Sequence, residues 1–375
     1  MTESVLFTEQ KAGKGKRLGF ATLNAEKKLN SLTQEMVALL YQQLLDWEKD
    51  DAISCVWLQG AGEKAFCAGG DVRCLHDKII ELGAEQAQPF VQEFFENEYR
   101  LDYLIHRYSK PIVVWGHGIV MGGGIGLLSG ASHRLVTETS RMAMPEITIG
   151  LFPDVGGTWF LNHAPGRTGL FLGLTGAHFN ASDALFVGLA DRFIHSEKKQ
   201  AVVNALQAQD WTNSGEKNKT IVSAVMRQYE NLEHLPEGNV RPHFDLIHKA
   251  TDGETTEQVV ENILAIQADQ KWLQRAVGTL KNGCPSTAHL VFQQLQRGKK
   301  LSLPEVFQIE LVMALQCALH PDFPEGVRAL LVDKDGKPQW QHASVSDVPA
   351  EWVEAHFQAP WPDGKNPLLD INGLE

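Results

Sequence analysis

The chain has 375 residues, with 34 Lys and Arg against 46 Asp and Glu, and a formal net charge of −12. Because a single core stops growing near roughly 250 to 300 residues, this length predicts one substantial core and a second unit. The acidic balance and the lack of a basic block argue against nucleic acid or a membrane surface as the main partner. The sequence has no spanning apolar run and no signal or transit pattern, so the expected location is the cytoplasm.

Cysteine and histidine usage argues against a disulfide framework and against a metal site. The five cysteines include no Cys-x-x-Cys pair, and the 14 histidines show no ligand spacing. We therefore expect reduced, buried thiols at Cys55, Cys67, Cys74, Cys284 and Cys317.

The first half of the chain alternates strand-like runs with a helical pattern. Strands are predicted at Leu18–Leu23, Ile53–Leu58, Ile112–Trp115 and Arg134–Val136. A helix between the first two would begin with a Ser31/Gln34 capping box. Its buried face would be formed by Met36, Val37, Leu40, Leu44 and Trp47. This alternation predicts βαβ-type units with a covered sheet.

From about residue 255 the apolar period becomes helical. The first apolar stripe stops at Asn282-Gly283 and consists of Val259, Val260, Ile263, Leu264, Leu273, Val277 and Leu280. A second helix is predicted after Ser286-Thr287. A third would begin with a Ser302/Glu305 capping box and end before His320-Pro321. The pattern predicts two domains, a core over residues 1–225 and a mostly helical region over residues 226–375.

Two further predictions concern the C-terminal region. Residues 331–340 resemble a hairpin around Asp335-Gly336. The tail from Pro360 is rich in Pro, Gly and Asp, and we expect it to pack poorly.

Two glycine-rich segments, each after a predicted strand, are candidates for an anion or oxyanion site. The first is Gly60–Asp71 and the second is Gly116–Gly126, and neither fits a Walker A or a G-x-G-x-x-G motif. Glycine at a helix start lets a bound group approach backbone N–H donors. The alternative is that these glycines only make tight turns, and for either segment alone the two interpretations are about equally favoured.

Two carboxylates stand in a strongly apolar stretch, Ala143–Gly157. Glu146 and Asp154 are the only acids there, and burial in such surroundings raises the pKa of an acid. Such groups serve as general bases or nucleophiles. The alternative is structural, with Glu146 capping a helix or Asp154 starting one before Gly156-Gly157.

Taken together and in this order, these segments resemble the enoyl-CoA hydratase/isomerase (crotonase) superfamily and, within it, the 3-hydroxyisobutyryl-CoA hydrolase family. The resemblance spans nearly the whole chain. The motif Phe66–Asp71, and Met144–Glu146 followed by Gly150–Asp154, are specific to the hydrolase branch. The motifs that carry it are Leu23-Asn24, Leu29–Leu32, Lys64–Asp71, Phe94–Tyr99, His117–Gly124, Met144–Gly157, Leu174–Gly176 and Glu325–Ala329.

The resemblance implies a fold and a substrate class. The fold would be α/β, a spiral of ββα units followed by C-terminal helices. The activity would be hydrolysis of 3-hydroxyisobutyryl-CoA, a step of valine degradation, or of a related short 3-hydroxyacyl-CoA, with no metal or other cofactor. A homo-oligomer, a trimer or a multiple of it, would form through the C-terminal helices, unless the longer C-terminal region here covers its own core instead.

The resemblance also implies roles for individual residues. The backbone N–H groups of Gly70 and Gly123 would form the oxyanion hole, and Ala68 with Gly69 would contact the adenine end of CoA. Glu146 would be the catalytic carboxylate and Asp154 would orient substrate or water. Glu98 would accept a hydrogen bond from the β-hydroxyl of the acyl group, although its charged surroundings also fit a solvated helix face.

One departure from the hydratases bears on the reaction. Hydratases use two glutamates, and the position of the first is Gly126 here. Because a positioned acid or base contributes about 10²- to 10⁴-fold in rate, hydration of a C=C bond is disfavoured. Two alternatives stay open: a hydratase or isomerase with a relocated second acid, and a non-catalytic acyl-CoA-binding protein.

Overall fold

The computed structural model describes residues 3–362 and 364–373. Its strands are β1 (Val5–Lys11), β2 (Arg17–Leu23), β3 (Ile53–Gly60), β4 (Ala65–Cys67), β5 (Ile112–Gly116), β6 (Ile119–Met121), β7 (His133–Val136), β8 (Arg141–Ala143) and β9 (Arg192–Phe193). Six of these form one sheet in the order β1-β2-β3-β5-β7-β9, and three form a second in the order β4-β6-β8. In the larger sheet β1 is antiparallel to β2, and the remaining pairs are parallel.

The helices follow the strands in ββα steps. Those of the first part are α1 (Gln34–Lys49), α2 (Val72–Leu82), α3 (Ala84–Arg107), α4 (Gly123–Ser129), α5 (Gly157–His163), α6 (Thr168–Thr175), α7 (Ala181–Phe186), α8 (Lys199–Gln207) and α9 (Gly215–Tyr229). The pairs β3/β4, β5/β6 and β7/β8 each give one strand to the larger sheet and one to the smaller sheet, and this confirms the predicted spiral of ββα units.

The second part of the chain is helical, as predicted. Its helices are α10 (Phe244–Ala250), α11 (Thr256–Leu264), α12 (Lys271–Asn282), α13 (Pro285–Gly298), α14 (Leu303–Leu319), α15 (Asp322–Val327) and α16 (Ala350–Ala355). Short 3₁₀ helices include Glu26–Lys28, Glu146–Ile149 and Pro367–Gly373. No helix in the described part of the chain is long and apolar enough to cross a membrane.

The chain forms two compact units that interleave along the sequence. Unit 1 comprises Met1–Gly70, Arg100–Met142 and Phe179–Asn239, and unit 2 comprises Asp71–Tyr99, Ala143–His178 and Val240–Glu375. The division into domains 1–225 and 226–375 stays a prediction.

The core of unit 1 lies on the larger sheet. Trp57 and Trp115 stack on neighbouring strands with ring centroids 5.6 Å apart, and α8 and α9 contribute apolar side chains to the same cluster. The predicted buried face of α1 is confirmed. The predicted capping box is wrong, because the N-cap is Thr33, whose side chain accepts from Met36 N at 3.2 Å. Ser31 instead donates to the carbonyl of Lys28 in the preceding turn.

In unit 2 the apolar stripe from Val259 to Leu280 belongs to two helices, α11 and α12. The prediction of one continuous stretch is wrong because the six-residue loop 265–270 interrupts the helix, and Leu264 remains 39% exposed. Ser286-Thr287 lies inside α13, which begins one residue earlier at a proline suited to a first turn. The predicted Ser302/Glu305 capping box of α14 is confirmed.

Two predictions about the C-terminal segments are wrong. Residues 331–340 form no hairpin, since the turn Arg328–Val332 continues from α15 and the Arg328 guanidinium binds Glu325, Asp333 and Asp335. The tail packs well over Pro367–Gly373, where the side chains of Leu368 and Ile371 are fully buried. The first prediction failed because one arginine binds three nearby carboxylates, and the second failed because the tail packs on α14, which is distant in sequence.

The cysteines are free thiols. Four are buried as expected, but Cys74 on α2 is exposed, so that part of the prediction is wrong. The apolar spacing on α2 places Leu75 and Ile79 inside and leaves Cys74 on the outer face. No group of three or more His, Cys, Asp and Glu side chains among the described residues can hold a metal ion.

Candidate active site

The two glycine segments come together within unit 1. Strands β4 and β6 are parallel neighbours, so the segments that follow them leave the same edge of the smaller sheet. Gly124 packs on the end of β4, where an added Cβ would lie 2.3 Å from the carbonyl oxygen of Cys67. An added Cβ on Gly69 would lie 3.7 Å from the backbone nitrogen of Gly123. The structure therefore brings Ala68, Gly69, Gly70 and Gly123 into one neighbourhood.

Backbone contacts hold this neighbourhood in place. Leu32 pairs with Gly70 in a parallel bridge and donates its N–H to the carbonyl of Gly69 at 2.8 Å. Ala68 donates to the carbonyl of Leu29 at 3.1 Å. Gly123 is the first residue of α4, where N–H groups lack an intrahelical acceptor. A bound oxygen atom is a suitable acceptor for such a donor.

Asn30 is a structural residue of this region. It lies in the motif Leu29–Leu32, but no role was predicted for it from the sequence. Its side chain is fully buried, donates to the carbonyls of Ala61 and Ala65, and accepts from Ala25 N. Its backbone adopts a left-handed conformation, with φ 54°. Asparagine tolerates this conformation better than most residues do. An Asn in this motif is therefore a sequence signal for a left-handed turn residue.

The three predicted carboxylates lie together in unit 2. Glu98 is on α3, Glu146 begins the 3₁₀ helix Glu146–Ile149, and Asp154 stands in the turn before α5. Their side chains are buried, with exposed fractions of 2%, 5% and 5%. The solvated helix face considered for Glu98 is therefore not what the structure shows.

Burial and mutual repulsion disfavour ionisation of this cluster. Burial, followed by the charge of Asp154, raises the pKa of Glu146 and that of Glu98 well above the ordinary range. Burial raises the pKa of Asp154 to about 6, although a hydrogen bond from Tyr99 lowers it. Asp154 is thus the group of the three that ionises most readily.

Two carboxylate oxygens in the cluster are buried without a hydrogen-bond partner among the described residues, Glu98 Oε1 and Glu146 Oε2. Buried oxygens in folded proteins nearly always find a partner, and exceptions mark functional positions. A bound water or substrate hydroxyl would fill this role.

The C-terminal helices of unit 2 support the turn that carries Glu146. Cys284 at the start of α13 donates its N–H to the carbonyl of Ile147 at 2.9 Å. Gly150 has φ 68°, and an added Cβ would lie 2.4 Å from the carbonyl oxygen of Asp322. The segment that carries Glu146 therefore contacts the start of α13 through Ile147 and the start of α15 through Gly150. These backbone contacts fix the position of Glu146.

Sequence reasoning missed two residues beside Asp154. The hydroxyl of Tyr99 donates to Asp154 Oδ2 at 2.8 Å. Glu310 on α14 is fully buried and accepts from Gly156 N and Thr158 N. Glu310 had a signal in the sequence, because it is the only acid in the apolar run from Val306 to Leu319.

Comparison with known proteins places the chain in a family. The profile of the family described as enoyl-CoA hydratase/isomerase matches residues 18–357. A protein named 3-hydroxyisobutyryl-CoA hydrolase, mitochondrial, from Danio rerio is 37% identical over 95% of this chain and 89% of its own length. The protein of the same name from Homo sapiens is 35% identical over 91% of this chain and 86% of its own length.

Solved structures agree on the fold. An enoyl-CoA hydratase from Rhodobacter sphaeroides 2.4.1 is 33% identical, with a TM-score of 0.83 over 97% of this chain and 99% of its own. A carnitinyl-CoA dehydratase from Mycobacterium thermoresistibile is also 33% identical, with a TM-score of 0.83 over 96% of this chain and 98% of its own. The chain therefore belongs to the enoyl-CoA hydratase/isomerase (crotonase) family and, within it, to the family of the 3-hydroxyisobutyryl-CoA hydrolases.

Proposed function

We propose that this protein hydrolyses the thioester of 3-hydroxyisobutyryl-CoA, or of a related short 3-hydroxyacyl-CoA, and releases the hydroxy acid and CoA. Its metabolic context would then be valine degradation. The relatives at 35% to 37% identity named above carry this activity in their names, and they match the chain over nearly its full length.

The observation that carries the proposal is the buried cluster of Glu98, Glu146 and Asp154. Two of its oxygens lack a protein partner among the described residues, and the pKa values of all three carboxyls are raised. Perturbed carboxyls of this kind gather at functional sites. A protein that only bound acyl-CoA would have no need for them, which disfavours the non-catalytic alternative.

We assign the reacting carboxylate to Glu146. As a nucleophile, its oxygen would attack the thioester carbonyl carbon, the C–S bond would break, and the CoA thiolate would take up a proton. Water would then hydrolyse the resulting mixed anhydride and restore Glu146. As a general base, Glu146 would instead take a proton from the water that attacks the same carbon. Both routes consume one water per thioester and use no cofactor.

The other predicted residues would support this step. The N–H groups of Gly70 and Gly123 would donate to the oxyanion of the tetrahedral intermediate. Asp154 would orient substrate or water, and Glu98 would accept from the β-hydroxyl. Ala68 and Gly69 would contact the adenine end of CoA.

The main alternative is a hydratase or isomerase, since the two solved structures described above are named as a hydratase and a dehydratase. Gly126 disfavours this alternative. It is buried inside α4, at the position where hydratases have the first of two glutamates, and it has no side chain to hold or move a proton.

A two-substrate assay tests the proposal. The purified protein is incubated with 3-hydroxyisobutyryl-CoA and with crotonyl-CoA, and both free thiol and the C=C absorbance are followed. Thiol release from the hydroxyacyl thioester is the expected result. Loss of absorbance without thiol release would instead establish a hydratase, and neither signal would leave a binding protein.

Trapping distinguishes the two chemical routes. Hydroxylamine added during turnover converts an anhydride on Glu146 to a hydroxamate, which is located by peptide mass spectrometry. Unmodified Glu146 under conditions of rapid turnover supports the general-base route.

Location and assembly also remain predictions for this chain. The names of the vertebrate relatives place those proteins in mitochondria, whereas a cytoplasmic location is predicted here. A trimer, or a multiple of it, through the C-terminal helices is tested by light scattering of the purified protein.

A further inference from the structure

Glu310 is a further buried carboxyl group, and it contacts the backbone just after Asp154. Glu310 projects from α14 with no exposed surface, and its two oxygens accept from Gly156 N and Thr158 N, each at 2.8 Å. Both oxygens of the carboxylate are thus committed to backbone donors at the start of α5. Once Glu310 is ionised, at a pH above about 8, these bonds are charge-assisted, a type that is among the stronger ones in proteins.

The backbone held by Glu310 is the turn that carries Asp154, and it is strained. Val155 is β-branched and has φ 52°, a left-handed conformation that such residues avoid, and Gly156 follows with φ 85°. Gln294 on α13 holds the same turn, donating to the carbonyl of Pro153 at 2.7 Å. A strained backbone of this kind persists only where surrounding contacts over-determine it.

We propose that Glu310 is a positioning residue for the reaction: it holds the strained turn through Gly156 and Thr158, and so sets the place of the Asp154 side chain, with which it titrates as a coupled pair. The kinetic part of this inference rests on the proposed function. The structural part concerns the turn and the Asp154 carboxyl group alone.

The charges around Asp154 indicate how Glu310 acts. Burial raises the pKa of Glu310 to about 8, the two backbone donors lower it, and the charge of Asp154 raises it again. Because the pKa of Asp154 is the lower of the two, at about 6, Asp154 is already negative when Glu310 ionises, and the two titrations are coupled. The titratable groups coupled to one or both of these carboxyls are Glu98 and Tyr99 on α3, Glu146 on its 3₁₀ helix, and Cys317 on α14.

Glu310→Gln tests the inference. The amide keeps one acceptor and turns an N–H₂ group towards the second backbone donor, so the turn loses part of its support. We expect kcat to fall about tenfold or more with KM within about threefold, because positioning acts on the transition state. We also expect kcat/KM of the wild type to show an inflection at about pH 8, where Glu310 ionises, and we expect the variant to lack this inflection while its acid limb stays in place.

The matched control is Glu305→Gln on the same helix. Glu305 is in an exposed capping box, and glutamine serves equally well at that position. The control should keep the wild-type kcat and pH profile. Glu310→Asp keeps an ionisable carboxyl group but is one methylene shorter, and it should keep a second inflection in the pH profile while recovering only part of kcat.

Two outcomes overturn the inference. One is a folded Glu310→Gln protein with the wild-type kcat and pH profile. The other is a fall in kcat with the inflection at about pH 8 retained, which identifies a purely structural role.

A measurement without substrate covers the cases in which Glu310→Gln does not fold or the proposed function fails. Carboxyl ¹³C resonances of the wild-type protein are followed against pH, with Asp154→Asn used to assign Asp154. We expect the Asp154 resonance to respond to two ionisations, its own and that of Glu310. A single inflection overturns the coupling, whatever the thioester assay shows. Absence of thiol release from the wild type counts only against the proposed function.

Discussion

The glycine segments of unit 1 and the carboxylate cluster of unit 2 are built on opposite principles. The first offers backbone N–H groups and depends on missing side chains, as at Gly124 beside the carbonyl of Cys67. The second offers ionisable side chains whose behaviour is set by burial, as at Glu146 and Asp154. Substitution in the first should therefore act through shape, and substitution in the second through charge and proton affinity.

Glu146→Gln should have the largest effect and tests the charge side of the comparison. The amide neither attacks a thioester nor takes a proton from water, so kcat for thiol release should fall by about 10³-fold or more. Stability should not fall at pH 8, because the variant no longer buries a carboxyl group that resists ionisation. Glu261→Gln, an exposed carboxylate on α11, is the control. Full thiol release by Glu146→Gln would falsify the catalytic assignment.

Gly124→Ala tests the shape side. Its Cβ would lie 2.3 Å from the backbone oxygen of Cys67, so the start of α4 must shift. We expect kcat/KM to fall about 10²-fold, the scale of losing one oxyanion donor, and stability to fall by about 1–3 kcal/mol.

Gly278→Ala is the control for this glycine substitution. It lies in α12, and an added Cβ would meet nothing within 4 Å. Stability should rise by about 0.5–1 kcal/mol, since alanine is the better helix former, with activity unchanged. Thermal unfolding and thiol release are measured for both variants. Equal changes in Gly124→Ala and Gly278→Ala would contradict the expectation that substitution at Gly124 acts through shape.

Tyr99→Phe should have a smaller effect on rate and a defined effect on pH dependence. The Tyr99 hydroxyl lowers the pKa of Asp154, which is about 6, so its loss should raise that pKa. The acid limb of kcat/KM should move to higher pH, whereas Glu310→Gln should leave it in place, and kcat at neutral pH should fall about three- to tenfold. A pH profile that stays in place would show that Asp154 does not need to be ionised.

The same raised pKa links activity to stability with opposite signs. Asp154 titrates near 3.9 in an unfolded chain and at about 6 in the folded protein. Its neutral form is therefore favoured by folding, and this contribution is complete below the unfolded pKa and is lost as the pH rises through about 6. We expect Asp154 to orient substrate or water in its ionised form, so its contribution to activity should rise over the same window.

Glu98→Met should have the smallest effect and tests substrate choice. The variant removes the proposed acceptor for the β-hydroxyl at similar volume, so KM for a 3-hydroxyacyl-CoA should rise about three- to tenfold, the value of one hydrogen bond. Hydrolysis of the matching thioester without the hydroxyl should be unchanged. Glu98→Gln keeps an acceptor oxygen and serves as the control. An equal change for both substrates would exclude this role for Glu98.

Much of the local structure could be predicted from the sequence, because it depends on neighbours along the chain. The buried face of α1 and the Ser302/Glu305 cap of α14 are correct for this reason. The hairpin around Asp335 is wrong because Arg328 binds that loop as a turn, and the tail is wrong because Leu368 and Ile371 meet α14. The Arg328 contacts are local but depend on side-chain charge pairing, whereas the tail contact with α14 is long-range in sequence.

The candidate site divides in the same way. The sequence alone determined which residues were available: glycines after strands, Glu146 and Asp154 in an apolar stretch, and Gly126 where a second glutamate would stand. Only the tertiary structure decided which of them meet within each unit. It buried Glu98, joined Tyr99 to Asp154, and placed Glu310 behind the turn. The reason is physical, since the pKa of a carboxyl group depends on the solvent and charges around it in space, and residues far apart in sequence supply them.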